Sequence, residues 1–396
     1  MNHFLFILFL LTSLNCSNHN FDQVAFTNVS ESHLPSVVLS DHNSMDTEVV
    51  DIDQDGDLDM VIAVEFYKNV ILLNDGTGRF EDGSHLIPDK QIEEEVFPYR
   101  YYPYHDSEDV AVEDFDKDGD YDIVIVTEDD EKNEYYVWEG SGFLDKSDEF
   151  PVTGVTNGVT AADLNNDGWV DLVLANNGQD ELLINKEGKF ISSTSSHFPQ
   201  SDDITQDIEV ADVDADGDLD LIIGNENASK LLLNDGQARF RDATASHFEG
   251  IEIRETREVD AADVDADGDL DVIMSNVLLF QKHQPVQQLL INDGNGSFND
   301  ATSEKISIIT QTGFVDSDFD DIDGDGDLDL TMGGFSGLKI YENDGKGNFV
   351  EITGSVLMED IKSIIIDIEI ADFNQDGKND LYLSVFRGPD IYLQGK

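Results

Sequence analysis

A single cysteine, Cys16, leaves this chain unable to close an internal disulfide, so whatever staples the fold is something else. Basic residues are scarce: 22 Lys and Arg stand against 86 Asp and Glu, a formal charge of −64. That balance repels nucleic acid and anionic membrane surfaces. The apolar run at the N-terminus, Phe4 to Leu11, is too short to span a bilayer. Several catalytic patterns are missing too: there is no G-x-S-x-G elbow, no H-E-x-x-H helix, no phosphate-binding glycine loop and no cysteine nucleophile. The expectation is therefore a protein that is not an enzyme.

Aspartate is what the chain has in excess, and over a third of its acidic residues fall in seven copies of one nine-residue pattern. The copies span 51–59, 114–122, 163–171, 212–220, 263–271, 321–329 and 372–380, starting 49 to 63 residues apart. Position 1 is Asp51, Asp114, Asp163, Asp212, Asp263, Asp321 and Asp372; position 3 is Asp53, Asp116, Asn165, Asp214, Asp265, Asp323 and Asn374. Position 5 is Asp55, Asp118, Asp167, Asp216, Asp267, Asp325 and Asp376. Alternate carboxylates at these places can converge on one point, and glycine at position 6 permits the turn that returns position 7 with its carbonyl. Position 7 is Asp57, Asp120, Trp169, Asp218, Asp269, Asp327 and Lys378, so its side chain is free to vary and to point outward. Position 9 is Asp59, Asp122, Asp171, Asp220, Asp271, Asp329 and Asp380, without exception.

Oxygen ligands in that number suit calcium, up to seven structural ions in all. An EF-hand would need Glu at position 12, where every copy here is apolar, so position 9 is expected to complete the site instead. Short β-branched segments such as "DLIIGN" follow the loops and "IEVAD"-like segments precede them, giving strand, loop, strand. A third strand runs into Asn-Asp-Gly turns and a fourth. The seventh repeat ends without its fourth strand, and "AFTNVSESHLP" at 25–35 matches the fourth strands elsewhere. The expectation is an all-β, seven-bladed β-propeller of four-stranded antiparallel blades over residues 21–396, closed by the N-terminal strand.

These loops at blade spacing resemble the FG-GAP and VCBS-type repeat family, the calcium-loop propellers that include the integrin α-subunit head. Literal Phe-Gly and Gly-Ala-Pro elements are not evident, which sets the chain nearer the bacterial tandem repeats. The resemblance implies recognition or adhesion, and some relatives scaffold polysaccharide lyases.

Residues 1–16 read as an export leader, and Cys16 resembles the lipidated cysteine of a bacterial lipoprotein, although Asn15 departs from the small residue usual before it. Membrane contact would then come only through a lipid anchor at Cys16, on the cell surface or outside it. Of two long insertions, 93–109 carries Tyr99, Arg100, Tyr101, Tyr102 and Tyr104, and 276–288 lies within the fifth repeat. The aromatic set either binds a glycan or protein ligand or packs as a lid over the central channel. Histidines that recur after the fourth strand, such as His33, His197 and His247, read as structural. The favoured function is recognition of a glycan or protein; the alternative is a polysaccharide lyase or hydrolase on the same scaffold.

Overall fold

A computed structural model describes residues 25–91, 103–128, 133–252, 254–277, 287–307 and 313–396. The leader with Cys16, the residues Tyr99, Arg100, Tyr101 and Tyr102, and most of the second insertion lie outside the described residues.

Each repeat folds as four antiparallel strands in sequence order. The fourth repeat is typical: Thr205–Ala211, Asp220–Asn225, Lys230–Asn234 and Phe240–Asp242 pair consecutively. Its acidic loop joins the first two strands. Five such sheets are separate, and the strands of the first and last repeats join in one larger sheet where His42 and Asn43 pair with Gly388 and Phe386. The last repeat, Ile364–Ala371, Asp380–Gly388 and Ile391–Gln394, receives its fourth strand from the N-terminus: Thr27 pairs with Gln394 and Asn28 with Leu393.

The second strand of every repeat begins with six buried residues, from Asp59–Val64 in the first to the opening of Asp380–Gly388 in the last. Such strands read as continuous apolar runs because both their faces are covered. What covers them is the neighbouring repeat. Val61, Ala63 and Ile71 of the first pack on Val110, Val112 and Ile123 of the second. Met60, Ile62 and Leu72, pointing to the other side, pack on Phe373, Tyr382 and Tyr392 of the last. The core is thus a series of clusters between repeats, each side chain contributing about 1.5–3 kcal/mol on full burial.

A Ser or Thr hydroxyl ends every fourth strand by accepting a third-strand N–H. Thr244 takes that of Leu231 at 3.0 Å, Ser147 that of Tyr135 at 3.1 Å, and Ser30 that of Tyr392 at 2.8 Å. A single helical turn follows, and in the turns that carry His33, His197 and His247 the ring turns back on its own backbone. His197 Nδ1 lies 3.0 Å from the Ser193 carbonyl and His247 Nδ1 3.0 Å from that of Ala243, the structural role expected of them.

Candidate metal centres

The loops are built on their own backbone. In the fourth, Asp212 accepts the N–H groups of Asp216 and Gly217 at 3.1 and 3.0 Å, and Asp216 accepts that of Asp218 at 3.1 Å. Asp114, Asp163, Asp263 and Asp372 repeat the first arrangement. Gly217 sits at φ +92°, and the six equivalent glycines are also left-handed, so position 6 needs glycine for its backbone. The folding gathers carboxylates: ligand oxygens of Asp51, Asp53 and Asp59 lie within 4.8 Å of one another, as do those of Asp114, Asp116 and Asp118 and of Asp212, Asp214 and Asp220.

Position 9 does more than the sequence suggested. Asp220 Oδ1 accepts the N–H of Asn234 at 2.8 Å and its Oδ2 that of Val213 at 3.3 Å, so one oxygen is held by strand three while the other faces the loop. Burial, partly offset by these bonds and increased by the loop's other carboxylates, raises Asp59, Asp122, Asp171, Asp220 and Asp271 to about 7 and Asp329 to about 8. Asp380, held by the Tyr392 hydroxyl and Gly395 N–H instead, rises to about 6.

Several loop oxygens are buried and accept no hydrogen bond: Asp51 Oδ1, Asp122 Oδ2, Asp214 Oδ1, Asp265 Oδ1 and Asp271 Oδ2. Buried acceptors are ordinarily satisfied, and an all-oxygen set of converging carboxylates fits a hard cation of the calcium type. The third and seventh loops differ. There the amide of Asn165 donates to Asp171 at 3.1 Å and that of Asn374 to Asp380 at 3.2 Å, filling internally the need that the other five leave open.

One further expectation changes at position 7. Asp57, Asp218, Asp269 and Asp327 do not simply point outward but tuck beneath the glycine of the next turn, where a Cβ on Gly76, Gly236, Gly294 or Gly345 would meet a carboxylate oxygen at 2.4 to 2.7 Å. Asp120 accepts a longer contact from Gln54 at 3.4 Å, and Trp169 stacks under the Lys117 ammonium at 4.6 Å. Lys378 donates its backbone N–H to Asp376 at 3.1 Å, leaving its carbonyl for the role expected of it.

The Asn of the Asn-Asp-Gly turns is a second functional residue that the turn reading missed. Asn234 Nδ2 donates to the Leu219 carbonyl of its own loop at 2.9 Å and to the Leu164 carbonyl of the preceding repeat's loop at 2.8 Å. Asn185, Asn292 and Asn343 do the same, and Asn74 reaches from the first repeat to Phe373 of the last at 2.8 Å.

The first strands hold the largest feature missed. Each has a bulge, and the residue after it is Asp46, Asp109, Gly158, Asp207, Glu258, Asp316 or Asp367. Two positions on stand Glu48, Glu209, Asp260, Asp318 and Glu369. All of these acids but Asp316 line a cavity of about 390 Å³, and a second of about 410 Å³ meets it at Asp46, Asp109, Asp207, Glu258 and Asp367. Some have backbone partners: Asp46 accepts Val110 N–H at 3.0 Å, Asp109 that of Val159 at 2.7 Å, and Asp207 that of Val259 at 2.8 Å, always across to the next repeat. Burial, with repulsion from Asp46 and Glu113, pushes Glu48 to about 8. Acid at alternate positions, as in "DTE", "DIE" and "DSD", was the available signal.

The second cavity opens away from the acidic loops, among Met45, Val315, Phe335, Ile366 and Phe386, with Phe335 51% exposed. Tyr104 lines neither cavity. Its hydroxyl donates to Asp89 at 2.9 Å, and it closes a crease with Ile87 and Tyr136 of about 10 Å³, too small for a ligand. Among the described residues no helix is long and apolar enough to cross a membrane.

Known structures share the architecture. A chain in the crystal structure of BBS1N in complex with ARL6DN is 10% identical with a TM-score of 0.58, and the match covers 94% of this chain and 96% of that one. The extracellular domain of BT4673 from B. thetaiotaomicron is 14% identical with a TM-score of 0.52, matching 94% of this chain but 40% of the other. An Agrocybe aegerita lectin recognising non-reducing terminal N-acetylglucosamine is 17% identical at a TM-score of 0.49, covering 88% and 87%. At such identities the likeness is one of fold alone. No curated protein matches the sequence. The FG-GAP-like repeat model matches residues 114–174, 163–223, 212–274 and 321–383, each span running from one acidic loop through the strand after the next. With more than half its length so matched and its strands arranged as four-stranded antiparallel blades, the chain belongs to the FG-GAP-like repeat family.

Proposed function

We propose that the repeats close into a seven-bladed β-propeller, that calcium binds its acidic loops, and that the exported chain is a recognition module for a protein or neutral glycan. Closure is supported by the apolar cluster between the last and first repeats and by the Asn74 bond to Phe373, both equivalent to those between consecutive repeats. Calcium is supported by the buried loop oxygens that lack donors. Five loops bind it well; the two with Asn165 and Asn374 bind it weakly, because their amides already satisfy position 9. Export rests on the leader before Cys16.

The observation that carries recognition is the mouth opposite the loops, where Phe335 and Phe386 stand over a cavity of about 410 Å³ floored by carboxylates. That volume is typical of ligand sites. Its chemistry suits a ligand that sets a Lys or Arg beside an apolar group, as a protein segment does, and repels the polyuronates on which lyases act. Arrays of basic-apolar peptides, neutral glycans and polyuronates test this. Binding to the first or second class, weakened at least tenfold by Phe335→Ala, is the expected result. Binding confined to polyuronates would overturn it and restore the enzyme alternative.

A further inference from the structure

The inner strands carry more carboxylate than their hydrogen bonds employ. Asp46, Asp109 and Asp207 each accept an N–H from the next repeat. Glu258 of the fifth repeat and Asp316 and Asp318 of the sixth instead face one another, with one oxygen from each within 4.8 Å of the other two. Asp316 is 1% exposed and its Oδ2 meets no donor; Asp318 Oδ2 is likewise buried and unpartnered. The first channel cavity, of about 390 Å³, runs alongside Glu258 and Asp318 and has room for waters to complete a coordination shell.

We infer that Glu258, Asp316 and Asp318 bind one hard divalent cation, of the calcium or magnesium type, separate from the loop ions. Three carboxylates at this spacing cannot all remain ionised in a buried site without a neutralising charge. Carboxylate oxygens and water are the ligands such cations take. The ion clamps the first strands of two neighbouring repeats, at a place where Asp46, Asp109 and Asp207 of other repeats use backbone N–H groups. The competing arrangement is a proton retained between Glu258 and Asp316: burial raises both, with repulsion from Asp316 adding at Glu258 and repulsion from Asp46 and Asp260 adding at Asp316. Only the cation adds to the metal count.

Equilibrium dialysis of the full chain against calcium or magnesium chloride at pH 7.5, read by elemental analysis, separates the two. Glu258→Gln and Asp318→Asn should each lose one ion per chain while the loop ions stay. Asp216→Asn, in the fourth loop, should lose a different one, so failure of the loop reading and failure of this one are distinguishable. An unchanged count in both channel variants would show that protons, not a metal, neutralise the cluster. Should those variants fail to fold, crystals of the parent chain soaked in manganese chloride decide: an anomalous peak between the three carboxylates is expected, and its absence while loop peaks are present overturns the inference.

Discussion

Asn165 and Asp214 hold the same loop position in opposite circumstances. The Asn165 amide donates to Asp171, whereas Asp214 Oδ1 is buried with no donor and its carboxyl is raised by burial and by repulsion from Asp216. One oxygen-for-nitrogen exchange thus decides whether the loop is content alone. Asn165→Asp should therefore add one bound calcium per chain near millimolar calcium and lower the melting temperature in EDTA. An unchanged count by elemental analysis would mean that position 3 does not set affinity. The convergence of the loop carboxylates was legible in the sequence because the spacing itself brings them together. The second duty of position 9 was not, since its partner Asn234 lies fourteen residues on, across a strand.

At the scale of elements, strands and turns followed from local signals: β-branched runs, Asn-Asp-Gly, and the likeness of 25–35 to the fourth strands elsewhere. The bonds that tie one repeat to the next did not, because Asn234 and the Leu164 carbonyl are 70 residues apart and nothing local marks the pair. Asn234→Ala leaves two buried carbonyls without that donor and frees the Gly236 N–H. The expected loss is about 3 kcal/mol by urea denaturation, with the calcium count little changed. A cost below about 0.5 kcal/mol would show that the bond is not a staple.

Across the whole molecule, charge that looked like general acidity divides into loops and channel. The acidic alternation of the first strands was visible but merged with the surplus, because only the fold turns one face of each strand toward a shared cavity. Burial first raises both groups, Glu48 to about 8 with repulsion from Asp46 and Glu113, and Asp207 to about 7 with repulsion from Asp46 and Asp260. The native state therefore holds protons that the unfolded chain has released, and metal-free stability is fullest near pH 4 and lost as pH rises toward 8. In the proposed reading, calcium acts against that loss through the loops. Extracellular sites of this ligand type have dissociation constants of about 10⁻⁴ to 10⁻³ M, so 10 mM calcium contributes about 1.4 kcal/mol or more per loop and about 7 over five. The central claim, that calcium is part of the fold, is tested most directly by calorimetry at pH 5 and 7.5 in EDTA and in 10 mM calcium. The account predicts that melting in EDTA moves down between pH 5 and 7.5, and that calcium raises it at pH 7.5 by about 10 °C; one transition unchanged by EDTA would contradict it.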